Sequence, residues 1–594
     1  MRMMHGLVVA AFVLLVWAGK GSGAVKNRIT PGMVSCDTYS LRDVFAQGKL
    51  SLETVPELMA ELGIRGVAFN DFLFASWDEG YLDKINSAMK KFDRIPTALI
   101  MEGNLANPDD GAWERQIEEN VKRLRAAAYL GCPVVRMNVG GTGDAQRDAT
   151  YGVERVAAAF KRMIPLAKEL NVKITIENHG GVSATAENIL RIIRLTDREW
   201  VGSCLDFGNW PGEVRYESCH ALAPYAYHVH AKSHGFDEVG EEGRMEVGRI
   251  VADLRAAGYK NALSIEYEGP GDQVEGVKKT RDLLLRYWPE GTNTLVDLWR
   301  RILPKGARVE KIAGGFQFTE GPAWDGKGAW CTTFLATMRV HKMVSRTGPG
   351  LLYFSDIPAD TIYRLGEGGK AGVFLHPSGK ANGLAVDKVG DIVACRHEAR
   401  DVARIGPCGE VTVLCDSFEG KRLNRPNDLA VARDGAVYFT DPGYGPEGRA
   451  SEQGVEGVYR VSPDGKVTRV IEDMVRPNGI VIGPGEKTLY VADSGRKVIR
   501  AYDMARDGSA KGGRDFASVE GTPDGMTMDS MGNIYCAAGG GIWVFDYSGN
   551  KLGLIPVPET PSNCTFGGPD LKTLFITART SVYRVRLGVP GWNE

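Results

Sequence analysis

Eight short apolar runs, each followed by a polar or amphipathic stretch, occupy the first half of the chain. They span residues 33–39, 64–70, 95–101, 134–139, 172–178, 201–207, 226–231 and 262–267. Stretches between them, such as 113–130 and 153–170, place apolar residues three and four positions apart, which is the period of a helix. Eight strand-then-helix units in about 250 residues predict a (β/α)8 TIM barrel. A doubly wound sheet shows the same alternation with fewer strands, and is the competing fold.

The pattern changes after residue 288. Pro289, Gly291 and the Pro-Lys-Gly run at 304–306 interrupt it around a short helical patch, so 289–306 is predicted to be a linker. Beyond it, short alternating runs are joined by turn residues. Within 421–445, for example, Asp434-Gly435 separates two alternating runs, and this pair tolerates the positive φ of a tight hairpin.

This hairpin recurs along the second half. The positions equivalent to Asn427 are Glu320, Asn382, Asn478, Asp524 and Asn563, and successive spacings are 62, 45, 51, 46 and 39 residues. Repeats of about 40 to 50 residues built from short strands predict a β-propeller, here with six blades. The long first interval contains an apolar and basic segment, 330–350, without strand alternation, which we interpret as an insertion.

The N-terminus has the features of a signal peptide. Arg2 precedes an apolar run at 7–18, and the small residues Ser22 and Ala24 follow, which predicts cleavage near Ala24 and a secreted or periplasmic protein. A retained membrane anchor is the alternative, although the run is shorter than the about 20 residues of a membrane span. The predicted organisation is therefore a signal peptide (1–24), a barrel (25–288), a linker (289–306) and a propeller (307–594). No membrane span is expected after the signal.

Charge and cysteine usage narrow the function further. The chain has 72 basic and 74 acidic residues, so it has no excess of positive charge that would attract nucleic acid or an anionic membrane. A small-molecule substrate is therefore favoured. Ten cysteines occur without a Cys-x-x-Cys pair, which disfavours a structural zinc site. Cys408 and Cys415 are spaced to pair across a hairpin. The oligomeric state is not predicted.

Ionisable residues lie at the ends of the last four predicted barrel strands: Glu177, Asp206, His230 and Glu266. Active residues of a TIM barrel lie at the carboxyl ends of its strands, so these four are expected to converge. Two Glu, one Asp and one His suit Mn²⁺, Mg²⁺ or Co²⁺ better than zinc. For any one of them alone, a partly exposed strand end is the plainer interpretation.

The segments ITIENHGG, CLDFGN, YHVHAKS and LSIEYEG, which carry these residues, resemble the xylose-isomerase-like TIM barrels of sugar phosphate isomerases and epimerases. The resemblance covers about 28–289. It implies that the four residues bind one divalent metal and that Glu177 and Glu266 also move a proton between adjacent carbons. His230 is chosen over His228 because the family pattern is His-x-Lys. Asn209 stands where many epimerases of the family have His, a departure that bears on the epimerase reaction and not on the metal. An exported enzyme meets little sugar phosphate, and no phosphate-binding Gly-rich loop is present, which favours a non-phosphorylated sugar or keto-sugar.

In a propeller, the six equivalent positions lie around one channel. Each Asn alone is most simply a turn former. Together, two carboxylates and several amide oxygens form an oxygen cage for a divalent cation, Ca²⁺ most naturally.

The second half also resembles the SMP-30/gluconolactonase/regucalcin family, over about 308–589. The resemblance rests on the 421–445 stretch and on the motifs Glu320-Gly-Pro-Ala-Trp, Arg476-Pro-Asn478-Gly and Pro523-Asp524-Gly. It implies that Glu320, Asn478 and Asp524 hold Ca²⁺, or Zn²⁺ or Mg²⁺, for lactone hydrolysis, with Asp524 as the base.

Three further residues are expected to contact substrate: Asn427, Asn382 and His397. No Gly-x-Ser-x-Gly motif is present, so a serine-esterase route is disfavoured.

The sequence therefore predicts an exported two-domain carbohydrate enzyme, with a metal-dependent lactonase in the propeller and a metal-dependent sugar isomerase or epimerase in the barrel. The two would act on a sugar or sugar lactone in succession. In one alternative the barrel is the only enzyme and the propeller binds a carbohydrate or a partner. In the other, the propeller is active and the barrel is a scaffold.

Overall fold

A computed structural model describes residues 29–292, 295–328, 330–336, 339–345, 350–366, 369–444 and 451–592. The side chains of Glu213 and of 330–345 are not described. The predicted signal peptide, 1–24, lies outside the described residues.

The first half is the predicted TIM barrel. Eight parallel strands pair in chain order, and β1 pairs with both β2 and β8, which closes the sheet. The strands are β1 (Val34–Asp37), β2 (Gly66–Asn70), β3 (Ile95–Met101), β4 (Val134–Met137), β5 (Lys173–Glu177), β6 (Val201–Asp206), β7 (Ala226–Ser233) and β8 (Leu263–Tyr267). All eight fall within or overlap the apolar runs seen in the sequence.

Helices cover the outside of the barrel and bury apolar faces on the strands. They are α1 (Arg42–Ala46), α2 (Val55–Glu61), α3 (Glu79–Lys91), α4 (Asp110–Leu130), α5 (Ala145–Arg147), α6 (Val153–Leu170), α7 (Ala186–Leu195), α8 (Gly212–Leu222), α9 (Val247–Ala256) and α10 (Gln273–Tyr287), and α11 (Leu295–Ile302) follows the barrel. Short 3₁₀ turns occupy Thr38–Leu41, Asp71–Leu73, Gly181–Ser183, Ala223–Tyr225 and Pro484–Glu486. Local sequence sets the ends of α4: the Asp109 carboxylate accepts from the Ala112 N–H at 2.6 Å, and Gly131 adopts a φ of 82°.

The second half is the predicted six-bladed propeller, in which each blade is a four-stranded antiparallel sheet. The first three blades are β10 (Thr319–Asp325), β13 (Leu351–Asp356), β14 (Thr361–Leu365), β15 (Ala371–Leu375); β16 (Ala381–Val386), β17 (Ile392–Arg396), β18 (Asp401–Ile405), β19 (Val411–Cys415); and β22 (Leu429–Val431), β23 (Val437–Asp441), β24 (Gly457–Val461), β25 (Val467–Ile471). The next two are β26 (Pro477–Ile482), β27 (Thr488–Asp493), β28 (Val498–Met504), β29 (Ala510–Ser518); and β30 (Met526–Met528), β31 (Ile534–Ala538), β32 (Gly541–Phe545), β33 (Lys551–Pro556). A small ribbon joins β20 (Ser417–Phe418) to β21 (Lys421–Arg422).

The last blade takes its outer strand from the start of the domain. Strands β34 (Pro561–Gly567), β35 (Thr573–Ala578) and β36 (Ser581–Arg586) are completed by β9 (Glu310–Gly314), which pairs antiparallel with β36. This closes the propeller, because the first and last parts of the domain share one sheet. The sequence repeat did not reveal this strand.

The segment 330–350 is the predicted insertion, because it lies between the paired strands β10 and β13 and forms a sheet of its own, whereas one expectation about the cysteines was wrong. The segment 330–350 holds a hairpin of β11 (Trp330–Ala336) and β12 (Arg339–Ser345), in which Trp330 pairs with Ser345 and Ala336 with Arg339. It is rich in Thr, Val and aromatic residues, which favour strands even without strict alternation. Cys415 is a buried free thiol, so the predicted pair with Cys408 does not form.

The predicted linker includes α11, whose Leu298 and Ile302 are buried in the apolar core of the last blades. The two domains also touch directly. The Glu246 carboxylate on the barrel side accepts from Thr488 Oγ1 at 3.1 Å and from the Tyr547 hydroxyl at 3.2 Å, and the Tyr287 and Tyr547 rings lie 5.7 Å apart.

The contacts fix which end of the propeller faces the barrel. Arg433, which pairs with Asp237 at 2.9 Å, lies in the turn after the inner strand β22, and Lys487, which donates to the Met245 carbonyl at 2.8 Å, lies in the turn after the inner strand β26. The position equivalent to Asn427 opens each inner strand, at its other end. The six equivalent residues therefore lie at the end of the channel away from the barrel. No helix among the described residues has the length and apolar character of a membrane span.

Candidate active sites

The barrel site consists of Glu177, Asp206, His230 and Glu266, at the carboxyl ends of β5 to β8. One donor atom of each residue lies within 4.8 Å of the others, and all four side chains are buried. His230 Nδ1 is 2.8 Å from Glu177 Oε1 and 3.6 Å from Glu266 Oε1. The structure thus brings the four predicted residues together at one point.

Arg136, from β4, supplies positive charge to this site. Its Nε donates to Glu177 Oε2 at 2.7 Å, and its Nη1 donates to Glu102 Oε1 at 2.6 Å. Burial alone would raise the pKa of Glu177, but Arg136 and His230 hold that pKa well below its usual range. Glu177 is therefore held as a carboxylate by the protein itself.

Lys232, two residues after His230, is a second cation in the site. Its Nζ lies 3.1 Å from Glu266 Oε2 and 3.4 Å from Asp206 Oδ2, and it donates to Asn209 Oδ1 at 2.9 Å. Asn209, the position where many family epimerases have His, thus positions Lys232. The pKa of Lys232 would fall through burial, but Asp206, Glu266 and other acids hold it far above its usual range.

Asp37, which ends β1, also reaches the site. Its Oδ2 lies 3.3 Å from His230 Nε2, and its Oδ1 accepts from the Tyr39 N–H at 2.9 Å. The Nδ1 side of His230 therefore faces the two glutamates while the Nε2 side faces Asp37. A carboxylate behind the imidazole is the usual support of a metal-binding histidine.

The residues of the barrel site fit a divalent cation. Four buried atoms make no hydrogen bond of good geometry: Asp37 Oδ2, Asp206 Oδ2, His230 Nε2 and Glu266 Oε2. Such atoms are rare in protein interiors and need an explanation. The acids Asp37, Glu102, Glu177, Asp206, Glu266 and Glu268 also outnumber Arg136 and Lys232, so a cation held by the four-residue set would complete the charge balance.

Sequence reasoning missed Asp37, Glu102 and Arg136, although a signal was present. Asp37 ends the first strand, Glu102 follows the third and Arg136 interrupts the fourth. The ends of the first four strands therefore carry the same signal as the ends of the last four for Asp37 and Glu102, and Arg136 is a charged residue inside an apolar strand. His228, the alternative to His230, has its ring 5.4 Å from that of His230 and lies beside Cys204.

In the propeller, the six equivalent residues open inner strands that contact one another around the channel. We call them the propeller ring: Glu320, Asn382, Asn427, Asn478, Asp524 and Asn563. Glycine follows several of them because neighbouring strands approach closely. A Cβ on Gly321 would lie 2.1 Å from the Asn382 carbonyl oxygen, and one on Gly479 would lie 2.3 Å from that of Asp524.

Hydroxyl groups on the second strands β13 and β23 and on the inner strand β34 connect neighbouring blades at the ring. Ser355 donates to the Asn382 carbonyl at 2.8 Å, Thr440 to the Asn478 carbonyl at 2.8 Å and Ser562 to the Thr319 carbonyl at 2.7 Å. These bonds fix the backbone from which the ring side chains project.

Glu320 and Asp524 are buried carboxylates that influence each other. Burial and the Asp524 charge raise the pKa of Glu320 well above its usual range. Burial raises the pKa of Asp524 to about 7, although a hydrogen bond from Asn478 opposes this. The Asn478 amide also donates to the Tyr444 hydroxyl at 3.2 Å.

Asp428 adds a third acid beside the ring. Asn563 Nδ2 donates to its Oδ2 at 3.2 Å, and burial raises its pKa to about 7. Across the described part of the chain, no Lys or Arg nitrogen forms an ion pair with Glu320, Asp428 or Asp524. The Arg579 charge lowers the pKa of Asp524 without forming such a pair. Buried carboxylates that lack an ion-pair partner and lie next to amide oxygens fit a hard divalent cation.

The predicted substrate-contact residues form part of the same surface. Asn382 Nδ2 donates to His397 Nε2 at 2.9 Å, and burial and the nearby Arg425 lower the pKa of His397 to about 4. Asn427 is buried, and its backbone N–H donates to the Thr440 carbonyl at 2.8 Å. Arg425 and Tyr444 were missed, although both lie in the 421–445 stretch.

Fold and sites together define a two-domain protein with one buried acidic site in each domain. Residues 318–580 match the family model of the SMP-30/gluconolactonase/LRE-like region, and residues 56–287 match that of the xylose isomerase-like TIM barrel. The chain belongs, through its second half, to the SMP-30/gluconolactonase/LRE-like family. Both predicted resemblances are confirmed.

The second half of the chain is similar to individual lactonases. A gluconolactonase of Zymomonas mobilis subsp. mobilis is 34% identical over 316 residues, which cover 48% of this chain and 83% of that protein. A 6-deoxy-6-sulfogluconolactonase of Pseudomonas putida is 28% identical over 268 residues, covering 41% of this chain and 89% of that protein. A solved gluconolactonase structure from Xanthomonas campestris is 35% identical, covers 49% of this chain and 92% of that one, and has a TM-score of 0.43.

Proposed function

We propose that the propeller hydrolyses a sugar lactone and that the barrel isomerises or epimerises a sugar or keto-sugar, each with a divalent metal. The observation that carries the proposal is the pair of buried carboxylates of Glu320 and Asp524 at one end of the propeller channel, which form no ion pair among the described residues. The gluconolactonase relatives support a lactone as the substrate class.

In the propeller, Glu320, Asn478 and Asp524 would hold the metal. When bound, a divalent ion there polarises the lactone carbonyl. Asp524 takes a proton from the attacking water as the water oxygen bonds to the carbonyl carbon. The ring C–O bond then breaks, and the proton passes to the departing alkoxide, which gives a hydroxy acid. Asn382, His397 and Arg425 orient the substrate hydroxyl groups.

In the barrel, Glu177, Asp206, His230 and Glu266 would hold the metal, which acidifies a C–H next to a carbonyl when bound. Glu177 and Glu266 flank the reacting carbons, take a proton from one and return a proton to its neighbour. Lys232 donates a hydrogen bond to the substrate oxygen that gains negative charge during this proton transfer. Hydroxyl groups and carbonyls are the only groups that this chemistry needs, which favours a non-phosphorylated sugar.

A pair of variants in the full chain tests the assignment. Wild type, Glu320→Gln and Glu177→Gln are assayed with glucono-1,5-lactone and other aldonolactones, with and without chelator, and with a panel of keto-sugars. We expect chelator and Glu320→Gln to stop lactone hydrolysis while Glu177→Gln, in the other domain, affects only sugar isomerisation. Bound metals are measured on the same samples.

The second candidate function is a binding propeller attached to a catalytic barrel. Lactone hydrolysis that is absent from wild type, or unchanged in Glu320→Gln, would favour it. Sugar conversion unchanged in Glu177→Gln would instead leave the barrel as a scaffold.

A further inference from the structure

Two aromatic side chains are exposed next to the barrel site. Among the large hydrophobic residues whose side chains the structure describes, the aromatic ones that are strongly exposed are Phe72 (55% exposed) and Trp77 (39%). Both belong to the loop between β2 and α3. This loop follows the carboxyl end of a barrel strand, so it lies on the same face as the barrel site.

Neighbouring rings hold these two in place. Phe74 stacks on Trp77, with centroids 4.4 Å apart and planes 8° apart, and itself packs edge-on against Phe69 and Tyr81. Phe72 packs edge-on against Tyr39, at 6.3 Å and 85°. The exposed faces are thus presented by a packed cluster, which lowers the entropy cost of binding a ligand.

The aromatic cluster is continuous with the barrel site. Tyr39 donates its backbone N–H to Asp37 at 2.9 Å, and Asp37 lies 3.3 Å from His230. Thr38 Oγ1 donates to Asn70 Oδ1 at 2.7 Å, which ties the loop after β1 to the end of β2. A series of contacts through Tyr39 and Asp37 therefore connects Phe72 with His230.

A groove of about 490 Å³ runs beside Phe72 and is lined by Phe45, Leu50, Tyr81, Arg42 and Glu53, among others. The Arg42 guanidinium lies 4.8 Å from the Tyr39 ring centre and donates to the Tyr267 carbonyl at 3.1 Å. The groove thus combines apolar ring faces with charged groups at its edge. That combination matches a sugar ring, whose C–H face packs on aromatic carbon while its hydroxyl groups bond to polar side chains.

We propose that Phe72 and the groove beside it form a subsite for the second sugar ring of a glycoside, whose first ring occupies the barrel site. Trp77 does not line this groove and is the second exposed aromatic residue of the same loop. The inference rests on the proposed barrel function and names its substrate class: a disaccharide or similar glycoside. Two aromatic side chains offer at most about 150–250 Å² each. A stable protein partner needs about 800 Å² on each side, so a small sugar fits this patch better.

The test measures binding of unmodified sugars to the full chain loaded with Mn²⁺. Isothermal titration compares glucose with cellobiose, maltose, sucrose and trehalose for wild type, Phe72→Ala/Trp77→Ala, and Leu195→Ala. Leu195 is a matched control because it is an exposed apolar residue at the end of α7, away from this loop. We expect at least one disaccharide to bind about tenfold more tightly than glucose, and the double variant to lose that advantage while its glucose affinity stays unchanged.

Two results would overturn the subsite: no disaccharide preference in wild type, or a preference that the double variant keeps. A third such result would come from sedimentation of wild type and the double variant: self-association that disappears in the variant would make the patch a contact between two copies. The Glu177→Gln variant distinguishes failure of the subsite from failure of the proposed barrel reaction. If sugar conversion depends on Glu177 but the aromatic variants change nothing, the subsite alone fails. If no sugar is converted and Glu177→Gln is silent, the proposed barrel reaction fails.

Discussion

The two acidic sites differ in how the protein compensates their charge. In the barrel, Glu177 is paired with the buried Arg136, and Asp206 and Glu266 face Lys232. In the propeller, Glu320, Asp428 and Asp524 face amides and one another, and burial raises the pKa of each. The barrel site therefore contains part of its own positive charge in ion pairs, whereas the propeller ring has only the Arg579 charge near Asp524 and depends more strongly on a bound cation.

This difference indicates which substitutions should affect each site most. Removing a protein cation should damage the barrel, because a buried carboxylate is then left unpaired. Removing a carboxylate should relieve repulsion in the metal-free propeller and yet abolish its chemistry.

The largest effect is expected for Arg136→Met. Without its guanidinium, Glu177 stays buried without its main counter-ion, which should cost about 3–5 kcal/mol of stability in the metal-free protein. Denaturant unfolding of the barrel measures this cost. Arg162→Met, which breaks the half-exposed pair with Glu114, is the matched control and should cost under about 1 kcal/mol. Equal losses in the two variants would show that Arg136 does not compensate the site.

Asp524→Asn should lower lactone hydrolysis by about 10²–10³-fold, because it removes a ligand and the proposed base. In metal-free protein the same change should leave the propeller as stable as wild type or more stable, since one of three neighbouring acids is gone. Steady-state rates and unfolding midpoints measure the two effects. Asp529→Asn alters another buried aspartate that follows the same inner strand, and serves as the control for general destabilisation. A strongly destabilised Asp524→Asn would contradict the proposed repulsion.

Asp37→Asn should weaken metal binding in the barrel by about 10–100-fold, because the carboxylate behind a metal-binding histidine fixes the orientation of its ring. Metal retention against a graded chelator series measures this, with the propeller metal as an internal reference. Asp43→Asn, an exposed acid in the α1 helix, is the control. Unchanged metal retention in Asp37→Asn would mean that the 3.3 Å contact does not support His230.

The smallest effect concerns His397. Its pKa falls from 6.5 to about 4 on folding, so the unfolded chain binds more protons between these values, and stability decreases as the pH drops below 6.5. At pH 5.5 the free energy of unfolding is therefore about 1.4 kcal/mol lower than at pH 8. His397→Gln should lose that pH dependence in unfolding of the propeller, whereas the exposed His376→Gln should keep it. Parallel pH profiles for wild type and His397→Gln would argue against a buried neutral imidazole.

The sequence was sufficient wherever a residue's role follows from a local pattern. Strand ends identified Glu177, Asp206, His230 and Glu266, and the hairpin repeat identified the ring from Glu320 to Asn563. Arg136 and Asp37 were missed because their role depends on which strands become neighbours when the barrel closes. The hairpin at 330–345 was missed because its strands pair with each other and need no alternation between a buried and an exposed face.

The orientation of the domains bears on the predicted succession of reactions. The barrel contacts the propeller through turns such as those of Arg433 and Lys487, and the propeller ring lies at the opposite end of the channel. The two sites are therefore separated by the length of the propeller channel, and a cavity of about 570 Å³ follows the inner strands from Asp428 to Arg433. If the intermediate of successive reactions leaves the protein instead of following this channel, dilution should slow the coupled reaction.

The last blade of the propeller depends on strand β9, which comes from the start of the domain. The residues that match the family begin at 318, but the last blade needs Glu310–Gly314, which precede them. A propeller cut at the family boundary would present an open edge on β36, ready to accept a strand from another chain. A separate peptide carrying 308–316 would therefore complete the sheet of the truncated domain. Exchange of this strand between two full chains would give a domain-swapped dimer.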